Sequence, residues 1–478
     1  MSDPAELLVT GTDGDHADHR LAGLLGDAAA RAARYREAAA ELPVFPTADA
    51  LTSLRSRLGA LRDEPAAPAA VLAQLADAVE PALVASVGPR YFGFVIGGST
   101  DSATAADMLA VGWDQNAFNT LTSPAAAVVE DVAGQWLKEI LGLPAAASFA
   151  FTTGGQAANT VCLAAARHQV LADVGWDCER DGLAGAPRIR VVASAARHIT
   201  IDRSLRLLGL GVRAVEEVPA LASGAIDADA LARTLAQGPG GPVIVCLQAG
   251  EVNTGAFDDF PAAIAAARRH GAWVHVDGAF GLWAAATPDA RHLTDGAAAA
   301  DSWATDGHKW LNVPYDSGYA FCVRPEAHKA AMSAAAAYLG AASETLRSPG
   351  DWNLESSRRA RGFATWAALR ELGRRGVADL VERCCAHARR FAAQLSAADG
   401  VRVVNDVVLN QVLVRFGEDD EITERVIAAV QRSGVCWMGG TTWRGMRLMR
   451  ISVSSWRTTT ADVDRSVEAI LAAVRASA

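Results

Sequence analysis

A chain of 478 residues, 51% hydrophobic and 21% charged, has room for two or three packed units and the composition of an ordinary globular protein. Its formal charge of −10, with arginines scattered and no basic stripe, argues against nucleic acid or an anionic membrane surface as partner. The start MSDPAELLVT has neither a basic leader nor an apolar core, no apolar run reaches bilayer length, and the seven cysteines show no metal-binding spacing; reduced thiols in a cytoplasmic protein are expected.

In chain order, residues 21 to about 85 read as helix: LAGLLGDAAARAARYREAAAEL and PAAVLAQLADAVEPAL place apolar residues three and four apart. From Ser148 the pattern becomes strand, turn and helix. SFAFTTGG leads into the helical QAANTVCLAAARHQVLADVG, and short apolar strands follow in RIRVVAS, PVIVCLQAG, AWVHVDGAF and DSWATD. Such alternation predicts an α/β fold with a mostly parallel central sheet covered on both faces, and ligand sites at the carboxyl ends of its strands. After Trp352 a long helical stretch precedes VRVVND, NQVLVRF, RLMRISVS and a last helix, which reads as a small α+β domain. The expected organisation is an N-terminal helical segment over 1–100, a large α/β domain over 101–360 and the small C-terminal domain over 361–478.

Among 44 basic residues only three are lysine: Lys138, Lys309 and Lys329. Arginine stays protonated, whereas a lysine can lose its proton when desolvated and attack a carbonyl. Lys138 and Lys329 lie in helical patterns and read as surface charge. Lys309, beside His308 at a strand end in TDGHKWLNVPYDSG, suits Schiff-base chemistry. Asp277 ends the strand in VHVDGAFG, where a carboxylate can keep a heterocyclic nitrogen protonated and the small Ala279 lets a ring pack flat; a capping aspartate is the plain alternative. FTTGGQ offers the backbone N–H groups of Gly154, Gly155 and Gln156 at a helix start, which suits a phosphate. His198 in SAARHIT follows another strand and could stack on a planar cofactor or be an ordinary surface histidine. An anion cradle, a ring-nitrogen carboxylate, a stacking imidazole and a Schiff-base lysine together describe a pyridoxal 5'-phosphate site.

From about Ser86 to the C-terminus the sequence resembles the group II pyridoxal-phosphate-dependent amino acid decarboxylases, which include aromatic-L-amino-acid and glutamate decarboxylases; HVDGAFG and HKWLNVPYDSG are the most specific parts. The resemblance implies a fold-type I, aminotransferase-like architecture and a homodimer with its active site at the subunit interface. It also implies that Lys309 carries the cofactor, Asp277 pairs with the ring nitrogen, Ala279 packs under the ring and His198 stacks on it near the substrate carboxylate. Gly155 and Gln156, with His308, would bind the phosphate. Tyr338, twenty-nine residues after Lys309, falls where the family keeps a tyrosine that protonates the substrate carbon. Asn116 and Phe118 fall where the partner subunit lines the substrate pocket, and Gly97 where aromatic-acid enzymes have a threonine touching substrate. Arg358 or Arg359 matches an arginine near the cofactor. Two departures stand out: Asp306-Gly307 replaces Asn-Pro before the His-Lys pair, putting a negative charge beside the phosphate cradle, and Val252 replaces a threonine for which Asn253 or Thr254 could substitute.

The resemblance therefore implies decarboxylation of an L-amino acid to an amine and CO2, with Phe118 and Trp113 leaning toward an aromatic or apolar side chain. Other readings keep the cofactor but change the outcome to aldehyde-forming oxidative deamination, C–C cleavage or transamination. Tyr338 and His198 weigh against the aldehyde route. A non-catalytic homologue is the remaining reading.

Overall fold

The computed structural model describes residues 15–334 and 346–477, so Tyr338 lies outside the described residues. Seven strands build the main sheet: β1 Ser148–Thr152, β2 Arg190–Ser194, β3 Val215–Val218, β4 Val243–Gln248, β5 Trp273–Asp277, β6 Ser302–Asp306 and β7 Gly318–Cys322. Their order is β1-β7-β6-β5-β4-β2-β3, and only β7 runs antiparallel to its neighbours. The carboxyl ends of β1, β6, β5, β4 and β2 therefore share one edge of the sheet.

Every residue of β1, β2, β4, β5, β6 and β7 is buried, as expected of strands covered by helices on both faces. One cover is the helix Gly155–Ala172, most of whose residues are buried. It starts where β1 ends because Gly154, at φ 154° and ψ 177°, adopts a backbone conformation open essentially to glycine.

A second, antiparallel sheet forms from β8 Val401–Val403, β9 Gln411–Phe416, β10 Gly439–Trp443 and β11 Met446–Ser452, in the order β10-β11-β9-β8. The helix Gly362–Ser396, broken at Gly373 where φ is 59°, leads into it. Helices Asp15–Ala38, Ala48–Leu58 and Pro68–Val79 make up the N-terminal segment. No helix among the described residues is long and apolar enough to cross a membrane.

The α/β architecture with its small second sheet matches the expectation. Three strands were not foreseen: β3 carries two glutamates, β7 follows the lysine turn after a short loop, and β10 opens on two glycines. Lys138 corrects another expectation. It is 3% exposed, with Nζ donating to the carbonyls of Ala145 and Ala147, and so ties the end of the helix Pro124–Ile140 to the start of β1. Lys329 is a surface charge, 3.0 Å from Asp351. All seven cysteines are buried free thiols.

Candidate active site

Lys309 sits on a single turn of π-helix, Gly307–Leu311, directly after β6. Single π-turns of this kind are frequent at functional sites. The turn is stiffened from below: Asn312, in the left-handed conformation, donates from Nδ2 to the carbonyls of Lys309, Trp310 and Ser454. Its Oδ1 accepts the N–H of Trp456, which fastens the lysine turn to the small domain. Gly97 presses on the same turn. A Cβ there would lie 2.1 Å from the Lys309 carbonyl oxygen, so the position contributes backbone only, with no room for a side chain such as the threonine that the family resemblance sets at this place in aromatic-acid enzymes.

Asp277, 5% exposed, ends β5 on the shared edge. Its Oδ2 accepts from Asn159 Nδ2 at 3.0 Å and from Thr200 Oγ1 at 3.3 Å, while Oδ1 accepts the N–H of Ala279 at 3.2 Å. These three donors fix the orientation of the carboxylate. His198 caps the helix Ile199–Leu207, its Nδ1 lying 2.9 Å from Thr200 Oγ1. Burial, then Lys309 and Arg450, pull the imidazole pKa down, and Asp277 and Asp306 oppose them. The balance holds His198 neutral, so it can face a cationic ring without repelling it. Thr200 Oγ1 links the imidazole to Asp277 Oδ2, which sets His198 beside that carboxylate.

Asp306 occupies the cradle. Its Oδ1 accepts the N–H of Gly155 at 2.5 Å, and its Oδ2 lies 3.1 Å from Lys309 Nζ. His308 Nε2 is 3.4 Å from Oδ1. The His308 ring rests on Tyr315, 4.4 Å between centroids, and its Nδ1 accepts the N–H of Ser317. An anion thus already sits on the first amide of the helix Gly155–Ala172, the position a phosphate oxygen would take. A Cβ at Gly155 would lie 2.7 Å from Asp306 Oδ2, so only glycine leaves this approach open. The side chain of Gln156 is turned away to Ser204 Oγ at 2.9 Å, which leaves only its backbone N–H for a ligand.

Together these residues fit pyridoxal phosphate: an anion-binding helix start, an acceptor-only carboxylate, a neutral imidazole and a lysine on one sheet edge. Lys309 would hold the aldehyde, Asp277 the ring nitrogen, and Gly155 with Gln156 the phosphate.

Other residues singled out in the sequence have these partners in the fold. Arg358 does not join this group: it is fully buried in an ion pair with Glu130 at 2.6 Å and donates to the carbonyls of Ala117 and Phe151. Arg359 pairs with Asp107 on the surface. Asn253 and Thr254 do not replace the missing threonine, because both direct their polar groups at the buried Glu251. Trp113 is 54% exposed and meets Phe363 edge-on. Asn116 bonds within its own loop and to the loop at Arg358, and Phe118 packs over Gly350; these contacts within one chain leave their expected place in a partner's pocket untouched.

Sequence reasoning missed Asn159, Thr200, His275 and Arg450. Arg450 of β11 donates to the carbonyl of Val252, and it bears on His198 from the small domain. A charged residue inside the apolar run RLMRISVS was the available signal.

The sequence profile of the pyridoxal-dependent decarboxylase conserved domain matches residues 55–416. Among relatives, 4-hydroxyphenylacetaldehyde synthase of Rhodiola rosea is 26% identical over 415 residues, covering 82% of each chain. A tyrosine decarboxylase of Oryza sativa subsp. japonica is 31% identical over 350 residues, covering 70% of this chain and 64% of that one. Among solved structures, Oryza sativa TDC with PLP and tryptamine superposes at TM-score 0.88 with 23% identity, covering 98% of this chain and 99% of that one. Mouse CSAD superposes at TM-score 0.87 with 21% identity, covering 97% and 99%. The profile match spans most of the chain, and the protein belongs to the pyridoxal-dependent decarboxylase family, whose cofactor its site fits.

Proposed function

We propose that the protein decarboxylates an L-amino acid with an aromatic or apolar side chain, releasing the amine and CO2. The observation that carries this reading is the geometry at the carboxyl edge of the sheet: Thr200 Oγ1 joins His198 Nδ1 to Asp277 Oδ2, and Asp306 joins Lys309 Nζ to the N–H of Gly155. When bound, pyridoxal phosphate supplies an aldehyde for the amine and a ring that takes up the electron pair released at the substrate Cα.

The chain's own residues do the rest. Lys309 would hold the aldehyde and yield it to a substrate amine. Asp277, aimed by three donors on its oxygens, would face the ring nitrogen and hold its proton. His198, kept neutral by burial, would pack against the ring, and Arg450, on β11, would meet the substrate carboxylate. Loss of CO2 breaks the bond from Cα to the carboxyl carbon, and a proton must then reach Cα; the family resemblance gives that task to Tyr338.

A homodimer completes the site in this reading. The helix Asp101–Trp113 exposes Met108, Leu109, Val111 and Trp113, and Leu121 follows in the next loop, an apolar face suited to a second copy. Asn116 and Phe118 lie on that loop and would enter the partner's pocket. Light scattering on the purified protein should give twice the chain mass; a monomer would remove Asn116 and Phe118 from the account.

The relatives include aldehyde-forming as well as amine-forming enzymes, so the products decide the reaction. Aromatic and aliphatic amino acids should each be assayed for CO2, amine, ammonia and aldehyde. Equal CO2 and amine from an aromatic substrate is the expected result. Ammonia and aldehyde without amine would replace it with the oxidative reaction.

A further inference from the structure

Trp273, His275 and Asp277 alternate along β5, so their side chains share one face of the sheet. The register pairs His275 with Ser302 on β6, and the helix Gly155–Ala172 lays Asn159 over the same face. The result is a continuous chain of hydrogen bonds. Trp273 Nε1 lies 3.0 Å from Ser302 Oγ, Ser302 Oγ lies 3.0 Å from His275 Nδ1, and His275 Nε2 lies 2.9 Å from Asn159 Oδ1. Asn159 Nδ2 then lies 3.0 Å from Asp277 Oδ2.

Chemistry fixes the direction of every link. An indole N–H can only donate and a carboxylate can only accept. The Asn159 atom facing Asp277 must therefore be its NH2, which leaves its carbonyl oxygen facing His275. That oxygen needs a donor, so His275 carries its proton on Nε2. The bare Nδ1 then accepts the hydroxyl proton of Ser302, whose oxygen accepts the N–H of Trp273. Burial holds His275 neutral, with its pKa lowered to about 4, as this single-proton form requires. Trp273, Ser302, His275 and Asn159 are all buried away from water, where the links of such chains polarise one another.

We propose that Trp273, Ser302, His275 and Asn159 form a one-way relay that locks the Asn159 amide as a donor to Asp277, making His275 and Asn159 positioning residues for the carboxylate that holds the ring nitrogen. Without it the amide is free to turn, presenting a carbonyl oxygen to Asp277. The carboxylate then loses the donor that aims it, and its hold on the ring weakens. The relay rests on the role proposed for Asp277, and the test separates the two.

Pyridoxal phosphate labelled with 15N in its ring should be bound to the wild type and to Asp277→Ala, His275→Leu, Ser302→Ala and His275→Gln, and the ring-nitrogen chemical shift followed against pH. Asp277→Ala sets the unprotonated reference. His275→Leu and Ser302→Ala should lower the pH at which the ring nitrogen loses its proton, on the order of a tenfold change in proton affinity, as removing such outer partners does at metal sites. His275→Gln, which keeps an N–H for Asn159, should restore much of the wild-type titration. Ser302→Ala removes one oxygen at nearly constant volume, so it reports even if His275→Leu fails to fold. A shift that moves in Asp277→Ala but not in folded relay variants overturns the relay alone. A shift unmoved in Asp277→Ala overturns the role of Asp277 and the relay with it.

Discussion

Replacing Asp306 with asparagine should tighten cofactor binding. Asp306 Oδ1 holds the Gly155 N–H at 2.5 Å, so a phosphate oxygen taking that amide must displace the carboxylate and still leave it nearby. Two unit charges about 4 Å apart repel by about 4 kcal/mol at an effective dielectric near 20. Lys309, 3.1 Å from Oδ2, and the donors that the displaced carboxylate finds offset part of this. About half remaining gives about 2 kcal/mol, a ten- to hundred-fold fall in the dissociation constant. Asparagine matches aspartate in size and keeps an acceptor, so the change isolates charge. Titration of the apoprotein with pyridoxal phosphate, followed by quenching of its twelve tryptophans, measures the effect. Pyridoxal lacking the phosphate is the control and should bind both proteins alike. An unchanged or weaker affinity for the phosphorylated cofactor in Asp306→Asn would refute the idea that carboxylate and phosphate compete for one amide.

Arg358→Met should lower stability by about 3–5 kcal/mol, because it strands the buried Glu130 charge and the carbonyls of Ala117 and Phe151; urea unfolding checks this, and a loss below about 1 kcal/mol would contradict it. Gly97→Ala should drive a methyl group into the Lys309 carbonyl, costing about 1–3 kcal/mol and impairing cofactor uptake, read by unfolding and by absorbance of the bound cofactor. The pKa of His275, lowered to about 4, also makes a pH prediction. The unfolded ring binds a proton below about pH 6.5 that the fold refuses, so its share of stability is full above that pH and falls toward pH 4, by about 1.4 kcal/mol per unit. His275→Gln removes this share, so the stability gap between wild type and variant should narrow by that slope as pH drops from 6.5 to 4. Parallel curves would contradict it.

The sheet and the main site residues were legible in the sequence because their signals are local. Each buried strand is a short apolar run ending in a polar residue, and Asp277, Gly155 and Lys309 follow such runs directly. The relay was less visible. WVHVD alternates large or polar side chains with valine, which marks one face as unusual, yet the partners Asn159 and Ser302 come from a distant helix and strand. Only the register of β5 against β6 brings them together. The burial of Lys138 was hidden for a related reason: its helix has a polar stripe, and the carbonyls that satisfy its amine belong to the following loop. The place of Arg358 depends on a buried glutamate more than two hundred residues away. Long-range pairing, unlike strand-end chemistry, leaves no pattern in a single sequence.

Borohydride reduction of the cofactor-loaded protein, followed by peptide mapping, tests the central claim most directly. The account predicts one pyridoxyl group per chain, on the peptide containing GHKWLNVPY and on Lys309 within it. A label on Lys138 or Lys329, or no label on a protein saturated with cofactor, would contradict it.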